Sequence, residues 1–136
     1  MLRNILAVIA GLAVGMVVNM ALVLLNVYVL YPMPEGTSMQ DQEQFKAYLE
    51  TLPATAFLVP VVAHLAQAFV GGWTAARIGA SRPVLLAMIV GVISLVGGII
   101  NLMTIEGPGW MYVELPLYLV AAWLAGRIEV RRRGAV

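Results

Sequence analysis

The stretch Ile5–Leu30, ILAVIAGLAVGMVVNMALVLLNVYVL, carries no charged residue. It runs for about 26 residues, where about 20 apolar residues suffice to cross roughly 30 Å of hydrocarbon as a helix. Backbone N–H and C=O groups in lipid have to be satisfied within their own segment, so a run of this length reads as a helix and not as a strand. The opening Met1-Leu2-Arg3-Asn4 resembles the short basic start of a signal peptide. A cleaved apolar region is only about 7–15 residues long, so the stretch is expected as a retained first helix.

Working outward, three further apolar runs follow at about 54–78, 84–105 and 110–128. The expected fold class is all-α: a single four-helix transmembrane bundle over 1–136, with helices at about 5–30, 54–78, 84–105 and 110–128. Composition agrees, since 62% of the 136 residues are hydrophobic and 11% are charged, against about 45–50% and about 25% in soluble domains. A formal net charge of +1 gives no ground for a nucleic-acid partner. With no cysteine, disulfides, thiolate metal sites and thiol redox chemistry are excluded. No period of about 20–50 residues repeats along the chain.

The arginines set the expected orientation. Arg3, Arg77, Arg82, Arg127, Arg131, Arg132 and Arg133 fall on one side of a chain that crosses four times, and Lys46 falls on the other. The positive-inside rule then puts both termini in the cytoplasm. Glu35, Asp41, Glu43, Glu50 and Glu106 face outside. Tyr28, Tyr31, Trp110 and Tyr112 lie at the outer interface and Trp73 toward the inner one, as aromatic belts do.

Two connections are short and rich in helix breakers, Gly79-Ala80-Ser81-Arg82-Pro83 and Glu106-Gly107-Pro108-Gly109, so the last three spans pack as antiparallel neighbours. The outer segment from Tyr31 to Pro53 is long. Ser38 and Asp41 fit capping-box spacing, and Met39, Phe45, Tyr48, Leu49 and Leu52 share one helical side. A short amphipathic helix over about 38–52, lying on the outer face or capping the bundle, is expected there; a solvated loop helix is the alternative.

Within lipid, helices associate through small residues and interhelical hydrogen bonds. Each span carries such a stripe: Gly11, Gly15, Asn19, Leu22 and Asn26; His64, Gln67, Ala68, Gly71 and Ala75; Gly91, Ser94, Gly98 and Asn101; Glu114, Tyr118, Ala121 and Ala125. These stripes are expected to face one another. Ranked by depth, Asn26, Asn101 and Glu114 form a shallow outer layer, Asn19, His64, Gln67 and Ser94 lie about two to three turns down, and Tyr118 lies between. The eight residues Asn19, Asn26, His64, Gln67, Ser94, Asn101, Glu114 and Tyr118 are the candidate lining of a polar cavity. On this ranking His64 and Glu114 differ by about six residues, or about 9 Å, so direct contact is not expected unless the helices that carry them are offset or Tyr118 or water bridges them. His64 is expected to bond with Asn19, Ser94 or Tyr118, and Glu114 with Asn101 or Asn26.

An ionisable residue inside a membrane span is a candidate functional residue by default, and histidine is the natural proton switch near neutrality. Against this stands the plainer reading of His64 and Gln67 as neutral groups satisfied by neighbouring helices. Glu114, followed by Pro116, reads either as a cation- or proton-binding carboxylate in a loosened helix or as an interfacial glutamate reaching headgroup water. Gly11 and Gly15 read as an intramolecular contact or a dimer face. The Arg131–Arg133 run reads as a topology anchor that meets anionic headgroups. One histidine and one shallow glutamate do not make up the three or four ligands of a metal site. Ser94 and His64 lack a charged group to orient the imidazole and any oxyanion loop. No catalytic residue, metal site or cofactor is expected.

The motifs Tyr31-Pro32-Met33-Pro34-Glu35-Gly36, Ala68-Phe69-Val70-Gly71-Gly72-Trp73-Thr74-Ala75-Ala76, Gly98-Ile99-Ile100-Asn101 and Pro108-Gly109-Trp110 resemble those of a family of small, uncharacterised bacterial four-transmembrane-helix proteins. The resemblance implies the bacterial inner membrane, with several crossings, and supplies no activity. Those proteins often carry a histidine beside the proline before the tryptophan, where this chain has Glu106-Gly107-Pro108-Gly109.

Two classes of function follow. One is a non-enzymatic structural or accessory membrane protein whose polar stripes fix helix pairing. The other is a small oligomeric transporter, channel or ligand-binding protein with an outward-facing polar cavity lined by His64 and Glu114. The lipid bilayer is the expected partner in both, joined by a second copy or another membrane protein.

Overall fold

Asn26, near the end of the first apolar run, opens a single π-helical turn, Asn26–Leu30, that closes helix α1, Leu2–Leu25. A computed structural model of the protein describes residues 1–105 and 108–134, and no strand occurs among them. After α1 come α2, Gln42–Glu50; a 3-10 turn, Ala54–Phe57, leading into α3, Leu58–Ile78; α4, Pro83–Thr104; and a second 3-10 turn, Gly109–Val113, leading into α5, Glu114–Gly134. Three segments, Leu2–Leu30, Ala54–Ile78 and Pro83–Thr104, are helical, long and apolar enough to cross a membrane. The fourth expected span is not among them, because Glu114, Arg127, Glu129 and the Arg131–Arg133 run sit within α5 and shorten its apolar middle.

Local chemistry explains the helix ends. Pro83 occupies the first turn of α4, where a missing N–H is not needed. Arg82 before it takes a left-handed conformation, φ 52°. Asp41, not Ser38, caps α2: one carboxylate oxygen accepts the N–H groups of Glu43 and Gln44 at 3.1 Å each. The Ser38 hydroxyl is held by Gln40 instead, so the outer helix starts later than the expected 38 and ends at Glu50, short of 52.

Packing is centred on α3, which touches α1, α4 and α5, while α4 also lies along α5. Contact is at backbone distance. A Cβ built on Gly11 would stand 2.5 Å from the Gly71 carbonyl oxygen, and one on Gly71 would stand 2.6 Å from that of Gly11. One on Gly91 would meet the Ala122 methyl at 2.4 Å, and one on Gly126 the Val84 Cα at 2.7 Å. Ala7, Ala75, Leu86 and Val90 complete this dry, close-packed part of the core. On α5 the buried face runs Glu114, Tyr118, Ala122, Ala125, Glu129. It passes through Ala122 rather than the expected Ala121, because Ala122 is the residue that fits Gly91.

At the other end Phe57, Leu102 and Met111 form a second cluster, against which Leu49, Leu52, Val61 and Leu115 pack. Tyr48 is buried, and its hydroxyl donates to the Tyr31 carbonyl. These contacts lay α2 over the ends of the long helices. Facing outward, Ile5, Val17, Val92, Ile100, Val120 and Leu124 are exposed. Apolar surface of this extent on several helices is a membrane- or partner-facing surface.

The arginine-bearing end is tied by polar contacts. Arg3 Nε donates to the Ile78 carbonyl at 2.8 Å, and Asn4 accepts the Ala80 N–H at 2.8 Å and donates to Ser81 Oγ at 3.1 Å. From α5, one Arg133 nitrogen donates to the carbonyls of Ala76 and Gly79, at the C-terminus of α3, where cations are favoured.

Candidate functional site

In the half of the molecule nearer α2, the polar stripes of α1, α3 and α4 open onto two adjoining cavities. One, of about 240 Å³, lies beneath α2; it is bounded by Asn19 of α1, Asn26 of the π-turn that follows it, His64 of α3, Asn101 of α4, and Met39, Phe45 and Leu49 in and just before α2. The other, of about 170 Å³, is bounded by Asn19, His64, Gln67, Ser94, Asn101 and Tyr118. Asn19, His64 and Asn101 belong to both. Seven of the eight expected residues therefore line cavities, and Glu114 stands behind them.

Glu114 is the point at which the depth ranking fails. His64 Nδ1 and Glu114 Oε1 are 2.9 Å apart, with the carboxylate wholly buried and the imidazole side chain 11% exposed. The ranking counted depth from the starts of the apolar runs, at about 54 and 110, as if those lay in one plane; both are 3-10 turns that precede α3 and α5. Val61 of α3 and Leu115 of α5 pack against the same cluster, which draws the two helices together near His64 and Glu114, and the two side chains meet between them. The bonds expected from His64 to Asn19 or Ser94, and from Glu114 to Asn101 or Asn26, are replaced by this one. Tyr118 meets His64 as a stacked ring, with centroids 6.1 Å apart and planes inclined by 24°. Its hydroxyl lies over Gly98, where a Cβ would come within 2.4 Å of it. Pro116 falls in the first turn of α5, where its missing N–H costs no hydrogen bond, so it starts the helix and does not loosen it.

The remaining polar residues are partly satisfied. Gln67 Nε2 donates to Ser94 Oγ at a long 3.5 Å. Asn26 Nδ2 donates to the Ala56 carbonyl at 3.2 Å, tying the π-turn of α1 to the 3-10 turn before α3. Among the described residues three buried acceptors, Asn19 Oδ1, Asn26 Oδ1 and Glu114 Oε2, have no hydrogen-bond partner. Buried acceptors of this kind are rare in folded proteins and each calls for an explanation. Among the described residues no group of three His, Cys, Asp or Glu could hold a metal ion. Chemically, the site offers a protonatable imidazole–carboxylate pair at the wall of a largely apolar cavity that carries unmatched acceptors.

A second buried acid escapes the sequence reading. Glu129 is fully buried at the arginine end of α5, where Arg132 donates to it at 2.6 and 2.8 Å and Arg133 at 2.9 Å, with Arg77 at 3.8 Å. Hydrogen bonds from Arg132, opposed by burial and reinforced by Arg133, hold its carboxyl down at about 2. The signal was present as a glutamate followed at i+3 and i+4 by arginines, a spacing that brings side chains together on a helix. The arginine run read as an anchor drew no attention to the acid beside it.

No family model, curated protein or solved structure matches this chain.

Proposed function

We propose that the protein is a non-enzymatic, multi-pass protein of the bacterial inner membrane that binds a small solute in its outer-half cavity, with binding coupled to the protonation of His64 and Glu114. The observation that carries this reading is the buried His64–Glu114 pair, with the imidazole forming a wall of both cavities. A separation in depth was the ground for reading the two residues as independent packing groups, and their contact removes it. Pairs of ionisable groups within a membrane domain mark ion, proton and substrate pathways.

In this reading α1, α3, α4 and α5 form a four-helix transmembrane bundle with both termini cytoplasmic. Support for α5 as a span comes from Val120, Trp123, Leu124 and Ile128, exposed to a degree similar to the apolar faces of α1 and α4. The arginine end faces the cytoplasm by the positive-inside rule, and α2 covers the outer mouth. A single bundle this small has little room for a central pathway, so full translocation requires an oligomer. The test is solute binding and proton-linked uptake in proteoliposomes, comparing wild type with His64→Ala and Glu114→Gln. Loss of both activities in the variants is expected; equal behaviour of all three across a broad solute panel sinks the reading.

The structural or accessory reading keeps one specific observation in its favour. Gly11, Gly71, Gly91 and Gly126 bring helices to backbone contact with no role in the cavity, which is what a protein built for helix pairing needs.

A further inference from the structure

We propose that the larger cavity takes a small organic ammonium ion, a protonated primary or secondary amine with an apolar body. This rests on the reading above that the cavity binds a solute, and it names the class.

The polar demand of the cavity is one-sided. Asn26 is buried and lines the cavity, and its Oδ1 has no partner. Its Nδ2 is committed to the Ala56 carbonyl, which fixes the amide so that the acceptor is the free end. Asn19 Oδ1, on the same wall, is a second unmatched acceptor. Among the described residues no lysine or arginine lines this cavity. A ligand that satisfies both amides has to bring N–H or O–H donors.

Charge narrows the class. With the imidazole neutral and the Glu114 carboxyl ionised, Nδ1–H donates to Glu114 and the pair carries one negative charge directly behind the cavity wall, with Glu114 Oε2 unmatched. A buried negative charge with no paired cation is costly, and a cation in the cavity offsets it. Anionic solutes are repelled by the same charge. The rest of the lining, including Phe57, Leu102 and Met111, suits an apolar body, and aromatic faces tolerate a nearby cation. Size sets a limit: since a cavity of about 150 Å³ admits benzene, one of about 240 Å³ holds a molecule of about nine or ten heavy atoms. Tyr118 is the other titratable group against His64; Asn19, Gln67, Ser94 and Asn101, which share its cavities, are neutral.

Benzylammonium, benzyltrimethylammonium, benzyl alcohol and benzoate vary charge and donor capacity on one apolar body. Their binding to the full chain in lipid nanodiscs, followed by calorimetric titration, is the test. Benzylammonium is expected to bind at least tenfold more tightly than the other three. Asn26→Leu and the near-isosteric Glu114→Gln are each expected to weaken it at least tenfold. Tighter binding of benzyl alcohol or benzoate, lost in Asn26→Leu, overturns the ammonium assignment and leaves the solute-binding reading standing. Benzylammonium affinity unchanged in both variants places it elsewhere and overturns the assignment. Absence of binding by any probe removes both.

Discussion

His64 and Glu114, fifty positions apart in sequence, meet at 2.9 Å between α3 and α5, and Tyr118 stacks on the imidazole. Among the described residues the other Glu114 carboxylate oxygen, Oε2, finds no hydrogen-bond partner. His64→Leu therefore strands a buried charge and is expected to cost about 3–5 kcal/mol, whereas His64→Leu with Glu114→Leu recovers most of that loss because an apolar pair needs no compensation. Unfolding in detergent micelles checks this. A double variant as unstable as the sum of the two single ones would show that the pair is not the unit of stability.

Gly11→Ala places a methyl 2.5 Å from the Gly71 carbonyl oxygen, a backbone atom that cannot move alone. Separation of α1 from α3 is expected, at about 1–3 kcal/mol. Gly97 lies within α4 with nothing within 4 Å of a built Cβ, so Gly97→Ala is expected to stabilise by about 0.5–1 kcal/mol through helix propensity. The two midpoints measured side by side test the packing; equal shifts in one direction would count against it.

Glu129 ties stability to acid pH. Its carboxyl titrates at about 2 in the folded protein against an ordinary value of 4.5. A group held lower when folded contributes stability that is fully present above about 4.5 and lost as pH falls toward about 2. Glu129→Gln is expected to flatten stability across that window and to cost about 1–2 kcal/mol at neutral pH; the figure is small because Arg77 and Arg132 are nearly half exposed. Midpoints recorded from pH 6 to pH 3 decide it, and a wild-type slope retained in Glu129→Gln counts against the role of this carboxylate.

The absence of cysteine makes single-cysteine topology mapping clean. Thr37→Cys, in the segment before α2, is expected to react with an impermeant thiol reagent from the periplasmic side. Ser81→Cys, in the α3–α4 turn, is expected to react only after the membrane is opened. Reversed labelling would invert the orientation drawn from the arginines.

Much of the architecture was legible without coordinates. The three apolar runs at 5–30, 54–78 and 84–105 correspond to the three segments able to cross a membrane. The fourth run was legible only in part, because α5 continues to Gly134 through Glu129 and the arginines. An apolar window cannot anticipate that those charges neutralise one another on the helix. The π-turn at Asn26 and the capping of α2 by Asp41 in place of Ser38 were hidden for a similar reason: each is a choice between local hydrogen bonds of comparable strength.

Sequence alone determined that the chain is helical, where three of its long segments lie, and which faces carry small and polar residues. Those properties follow from runs of transfer free energy and from the 3.6-residue period, both of which are local. Only the tertiary structure decided which polar atoms meet. Val61 of α3 and Leu115 of α5 seat against the same cluster of Phe57, Leu102 and Met111, and no count of residues from a presumed membrane surface contains that contact. An offset of about one turn, about 5 Å, exceeds the reach of a hydrogen bond. That difference turned His64 and Glu114 from two isolated polar residues into one buried pair at the wall of a cavity.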